Sequence, residues 1–464
     1  MSASNTTTSS VTATGSEAIQ FLEQNPDIEA VDLLISDLNG ITRGKRIERS
    51  SLKKVYTDGV ALPASVFSLD ITGKTVEECG LGLTIGEPDR DCHPQPGLLT
   101  RSPWQRRPMA QTLMSMYEAD GSPFFGDPRH VLASVLDKFK ALKLTPVVAV
   151  ELEFYLIDRV RGDNGQPLPP ISPKTGLREA HTQVYSTTVL DEYGDFLDDI
   201  AAITTAQGIP ADTAVAEYAP GQFEINLKHQ DDPLAACDNA ILLKRVVKAV
   251  ADKHGMEASF MAKPYESEAG NGMHIHASLL DEQGNNVFAE AGKPYSQMME
   301  NAVGGLLQSM AESMSLFCPN INSFRRLRPE YYVPMSPNWG VDNRTVSVRI
   351  PASDDRAKRI EHRVSGADAN PYLVMAAILA GIHHGISNQI EPRPITVGNA
   401  FDQDGIGLPT RLFEALDSID ESELLRSYFS PEFIDLYVTC KRDELSEFER
   451  HVSQLESQWY LTTV

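Results

Sequence analysis

The stretch VVAVELEFYL, Val147–Leu156, decides the fold class, because its side chains alternate with the period of a β-strand. Val150, Leu152 and Phe154 fall on one face, and Glu151, Glu153 and Tyr155 fall on the other. Two carboxylates therefore stand about 7 Å apart on one wall. Three further stretches read the same way. In GQFEINL, Gly221–Leu227, the residues Phe223, Ile225 and Leu227 oppose Glu224 and Asn226. In GMHIHASL, Gly272–Leu279, the residues Met273, Ile275 and Leu279 oppose His274, His276 and Ser278. In RTVSVRI, Arg344–Ile350, the residues Val346, Val348 and Ile350 oppose Ser347 and Arg349. As neighbours in one antiparallel sheet, these strands would carry a wall of carboxylates, imidazoles and guanidinium that an ordinary core does not tolerate. Such a wall suits metal and phosphate.

Working outward, EAVDLLISDLNGITRGKRI alternates on both sides of Asn39-Gly40, which is a hairpin signal. A short helix is expected near Ser16–Gln24. Pro and Gly punctuation at 86–97 and 121–128 ends a first domain, and Asp127-Pro128 opens a helix leading into the ELE strand. RGDNGQPLPPISPKTG, Arg161–Gly176, reads as a loop. Helical spacing recurs at 190–207, 232–254, 294–315, 368–388 and 409–425. The class is therefore α+β, with a disordered segment at 1–15, a small domain at 16–120 and a large one at 121–464.

Composition narrows the function. The 464 residues are too many for one core, and a net charge of -23 disfavours nucleic acid while favouring a cationic substrate. Five scattered cysteines without CxxC spacing argue against a disulfide framework and a zinc cluster, and fit a reducing, cytoplasmic setting. No apolar stretch has membrane-spanning length, and the Ser/Thr-rich start lacks the pattern of a signal peptide.

Hard divalent ions such as Mg²⁺ and Mn²⁺ prefer carboxylate oxygen, supplemented by imidazole, and the candidates are Glu151, Glu153, Glu217, Glu224, His274 and Glu361. Arg326, Arg344, Arg349, Arg356, Arg359 and Arg363 supply planar forks for carboxylate and phosphate. Together they suggest ATP-dependent phosphoryl transfer. The motifs ELE (151–153), EYAPGQFEIN (217–226), GNGMHIH (270–276), NRTVSVRIP (343–351), RIEHR (359–363) and ANPYL (369–373), with DLNGITRGK near the start, resemble the glutamine synthetase family in identity and order. The resemblance implies a β-grasp N-terminal domain, a catalytic domain with a curved antiparallel sheet, and a homododecamer of two hexameric rings. It implies one ion held by Glu153, Glu217 and Glu224, and a second by Glu151, His274 and Glu361. It gives Gly270, Arg326 and Arg363 to glutamate or its γ-phosphate, and Arg344, Arg349 and Arg356 to phosphate and nucleotide. His276 and Ser278 fall where the family contacts ATP. Arg344, Arg363 and Glu217 are the expected catalytic groups.

The chain departs from that pattern where ammonia would bind. Tyr332 stands where true glutamine synthetases carry the glutamate that deprotonates ammonium, with Glu330 two residues too early. Ser68 stands where an aspartate is expected, with Asp70 displaced beside it. Ala269 replaces an asparagine of the loop over glutamate, and GNAFDQDGIGLP lacks the tyrosine that some members adenylylate. Two lost carboxylates weaken a small-cation site, whereas a tyrosine ring suits an alkyl ammonium. The departures match γ-glutamylpolyamine synthetases, with Tyr332, Ser68 and Tyr185 as the amine pocket and polyamine catabolism as the setting. A monoamine such as ethanolamine, or ammonia itself, is the alternative substrate, and a non-catalytic member the least favoured reading.

Overall fold

The computed structural model describes residues 13–328, 331–402 and 407–464, so most of the expected disordered segment, and Glu330, lie outside the described residues. Two sheets organise the chain. The first contains β1 (Ala30–Ser36), β2 (Thr42–Glu48), β3 (Val60–Pro63), β4 (Asp89–Pro94), β5 (Thr100–Arg101) and β6 (Met109–Tyr117). Its order is β2-β1-β6-β4-β3, with β5 on β6. The Asn39-Gly40 turn closes the hairpin as expected, pairing Ser36 with Thr42, and Gly40 takes the φ of +70° that such a turn asks of it. Alternation misled in one respect: β1 is buried on both faces, because Asp32 is held inside by Arg46 and Arg245.

The second sheet contains β7 (Thr145–Asp158), β8 (Ala211–Ala216), β9 (Gln222–Leu227), β10 (Met256–Ser259), β11 (Met273–Leu280), β12 (Trp339–Val341), β13 (Val348–Ile350) and β14 (Ile360–His362). The order is β12-β13-β14-β11-β7-β9-β8, with β10 on the end of β7. All four stretches singled out by alternation join this one sheet. It is mixed rather than wholly antiparallel, since β12 runs parallel to β13. The RTVSVRI strand is shorter than its alternation implies, as only Val348–Ile350 pairs, and the RIEHR segment inserts as β14 between it and β11.

Helices back the apolar face. Pro371–Asn388 is buried along most of its length and crosses Gln297–Ser309 closely at a row of glycines. A Cβ on Gly305 would meet the Gly381 carbonyl at 2.2 Å, and one on Gly385 would meet the Asn301 carbonyl at 2.0 Å. Asn370 caps the first of these helices by accepting from Tyr372 N at 3.0 Å, and donates to Asp37 O at 2.9 Å, so ANPYL ties the two sheets' units together. The expected 190–207 helix breaks at Tyr193 into Thr187–Glu192 and Gly194–Gln207. The expected 294–315 helix ends at Ser309 before a short turn at Met314–Phe317. The expected 409–425 helix is two, Leu412–Asp420 and Glu423–Phe429, because Ser422 caps the second. Pro431–Arg450 is a 20-residue helix that periodicity did not reveal. No helix among the described residues is long and apolar enough to cross a membrane.

Candidate active site

The strand register lines the polar side chains up across the second sheet. His274 lies opposite Glu151, Glu153 opposite Glu224, His276 opposite Glu361, and Arg349 opposite Glu361. Period-2 alternation then turns each of them to the same face. Glu217 joins from the turn after β8. Among the described residues, three groups lie close enough to share an ion: Glu151, His276 and Glu361; Glu151, Glu224 and His274; and Glu153, Glu217 and Glu224. The third is the set expected for one ion. The residues of the second expected set are divided between the other two groups: Glu361 lies with Glu151 and His276, and His274 with Glu151 and Glu224, while the His274 charge still acts on Glu361. Glu151 and Glu224 each belong to two groups.

Charge is graded along this row. At the arginine end, Arg349 Nη1 meets Glu361 Oε2 at 2.7 Å and Arg363 grips the other oxygen. Burial acts to raise the Glu361 carboxyl, but Arg363, the two histidines and Arg349 outweigh it and hold it at about 2. His276 Nε2 lies 2.8 Å from Glu151 Oε1, and His274 Nδ1 lies 3.3 Å from Oε2. Against the pull of burial, those bonds keep Glu151 well below the usual carboxylate range. At the far end the balance reverses. Burial and the Glu153 charge push Glu217 up to about 7, opposed by Arg344, and burial with the Glu151 and Glu153 charges pushes Glu224 up to about 9. A row that must protonate to tolerate its own carboxylates is one that a hard divalent cation fits. The buried Nε atoms of Arg349 and Arg363 have no partner among the described residues, which suits an incoming anion.

Other expected residues are placed differently. Arg326 is 2% exposed, and its guanidinium donates to the carbonyls of Asn271, Val364 and Ser365. It braces the loops beside the basin. Gly270 packs on it, since a Cβ there would fall 2.4 Å from Arg326 Cγ. Ser278 follows His276 on the same face of β11 and is buried. Arg344 is exposed beside Glu217, and Arg356 is exposed in the loop before β14, outside the Arg349–Arg363 bank. Tyr332 is 60% exposed with φ +55°, and Tyr185 is also exposed, its backbone N–H bonded to Ala216 O at 2.8 Å, one residue before Glu217. Ser68 is fully buried and donates its hydroxyl to Ser65 O at 3.0 Å. Asp70 is consumed by its own loop, accepting from Thr72 and Lys74.

Arg359, one of the expected arginines, takes a role that its residue type did not specify. Arg359 Nε donates to His276 Nδ1 at 3.2 Å, which leaves the ring proton on the Nε2 that faces Glu151. Its signal was present, since Arg359, Glu361 and Arg363 alternate on one face of RIEHR.

The model of the glutamine synthetase catalytic domain matches residues 125–460. The chain belongs to the glutamine synthetase family. Among curated relatives of this family, the gamma-glutamylputrescine synthetase PuuA of Escherichia coli (strain K12) is 48% identical over 445 residues, covering 96% of this chain and 94% of that protein. A glutamate–isopropylamine ligase of a Pseudomonas species is 33% identical, covering 96% and 97%. A solved structure described as a GmaS/ADP complex superposes with a TM-score of 0.83 at 25% identity, covering 96% of this chain and 99% of that one. Family membership makes the chain a ligase.

Proposed function

We propose that this ligase joins the γ-carboxylate of glutamate to a primary amine, a diamine or polyamine such as putrescine, with ATP supplying the phosphoryl group. The observation that carries the reaction class is the single row running from the paired arginines through Glu361, the histidines and Glu151 to Glu224. The amine class rests on the 48% identity to a gamma-glutamylputrescine synthetase together with Tyr332 at the position of the missing glutamate.

In this reading Glu153, Glu217 and Glu224 would hold one Mg²⁺ or Mn²⁺, and Glu151, His274 and Glu361 a second, with His276 beside them toward the nucleotide. Divalent ions bound there supply charge neutralisation for a transferring phosphoryl group. Arg344, Arg349 and Arg363 orient phosphate oxygens through their forks, and Arg359 keeps His276 in one tautomer. Phosphorylation turns the poor carboxylate leaving group into phosphate, so that the amine attacks the carbonyl and phosphate departs. Residues 16–120 form the N-terminal domain and 121–464 the catalytic domain, and the assembly is the family's two-ring dodecamer.

The test is phosphate release with saturating glutamate and ATP across ammonium, alkyl monoamines, ethanolamine, putrescine and longer polyamines. Diamines should exceed ammonium by one to two orders of magnitude, at about 0.8 kcal/mol per buried methylene. Equal efficiency with ammonium refutes the amine assignment.

A further inference from the structure

We propose that Cys79 and Cys440 form a reversible disulfide modification site that clamps the first sheet's unit onto the helix Pro431–Arg450. The two lie 361 positions apart in sequence, yet their Sγ atoms are 3.1 Å apart. A bond of roughly 2.05 Å therefore needs only about 1 Å of closure. Cys79 ends the short turn Glu77–Cys79, and Cys440 lies on the helix Pro431–Arg450. The access differs in a useful way. Cys79 is half-buried and open to a small reagent, whereas Cys440 is 1% exposed and reachable only through its partner.

The surroundings give the bond a mechanical meaning. One helical turn beyond Cys440, Glu444 accepts from Ile71 N at 2.8 Å and from Asn39 Nδ2 at 3.3 Å, and Lys441 donates to Asn39 and to Glu444. The helix thus grips the Asn39 turn and the Ile71 loop by non-covalent hydrogen bonds, and the cysteine pair sits at the third point of attachment. The other three cysteines, Cys92, Cys237 and Cys318, are buried without such a pairing among the described residues.

The chemistry balances with a small-molecule disulfide such as oxidised glutathione. The Cys79 thiolate attacks one glutathione sulfur and releases the first glutathione thiolate. The Cys440 sulfur then attacks Cys79 Sγ, breaking the mixed disulfide and releasing the second glutathione. The two cysteine protons leave on the two glutathione thiols.

The full-length assembly, purified reduced, is equilibrated in graded mixtures of reduced and oxidised glutathione, quenched in acid, alkylated and digested. A Cys79–Cys440 crosslinked peptide should accumulate and disappear again with dithiothreitol, while Cys92, Cys237 and Cys318 alkylate fully after denaturation. The oxidised form should melt higher by roughly 2 °C or more. Cys79→Ser, close in size, should keep the reduced protein's melting point and lose both effects. A mixed glutathione adduct that stays on Cys79, two free thiols throughout, or a crosslink with no rise in melting point overturns the proposal.

Discussion

Glu224 shows how strongly one position can couple folding to pH. Burial and the Glu151 and Glu153 charges push its carboxyl up to about 9 against 4.5 as the ordinary value, so the folded protein keeps a proton that the unfolded chain has released. That contribution is complete below about pH 4.5 and drains away as pH rises through 9, with Glu217 adding to the loss up to about 7. Glu361, held at about 2, works the other way and withdraws stability only as acid protonates it. In chelator, the melting point should therefore fall between mildly acidic and mildly alkaline buffer. Glu224→Gln should flatten that slope, and so should added Mg²⁺; a slope identical in variant and wild type would contradict the site's electrostatics. Tyr332 gives a different test. A tyrosine at φ +55° is strained, so Tyr332→Gly should leave stability unchanged or raise it by up to about 1 kcal/mol. The same change should raise KM for putrescine about tenfold if the ring holds the amine. An unchanged KM removes Tyr332 from the pocket.

At the level of elements, alternation located the strands that matter, because each carries apolar residues on one face and ligands on the other. It could not locate β14 as a strand of its own, since three paired residues are too few to show a period, and so the placing of Glu361 beside His276 was not legible. The burial of Ser68 was equally hidden, for a hydroxyl that bonds back to Ser65 O leaves no trace in spacing. The helix Pro431–Arg450 escaped because its inner face is interrupted by Lys441, whose side chain is fully buried against Asn39 and Glu444. That pairing makes a prediction of its own. Glu444→Ala strands a buried ammonium and should cost roughly 3–5 kcal/mol, whereas the double change Lys441→Met with Glu444→Leu should recover most of it. Chemical denaturation midpoints decide, and a double variant no better than the single one would show that the helix is held by something else.

Across the whole molecule, 64 acidic side chains against 41 basic ones give a net charge of -23 and a field that draws cations from solution. A dicationic amine should feel it more than ammonium does. Raising ionic strength from about 0.05 to about 0.5 M should thus lower kcat/KM for putrescine by a larger factor than for ammonium or ethanolamine. Parallel losses for all three amines would assign selectivity to the local pocket alone. The two sheets' units meet through Asn370, Arg245 and the helix Pro431–Arg450, so this field acts on one body.

Because Glu151 and Glu224 are each shared between neighbouring ligand groups, the basin also behaves as a buffer. At neutral pH it stores protons on Glu224 and, in part, on Glu217, and these must leave when a divalent ion takes their oxygens. Adding Mg²⁺ to the metal-free protein in weakly buffered solution at neutral pH should acidify it by about one to two equivalents per chain. The released amount should shrink as the starting pH rises, since fewer protons remain to be displaced. An enzyme so arranged meets its metal supply and the ambient acidity as one joint variable.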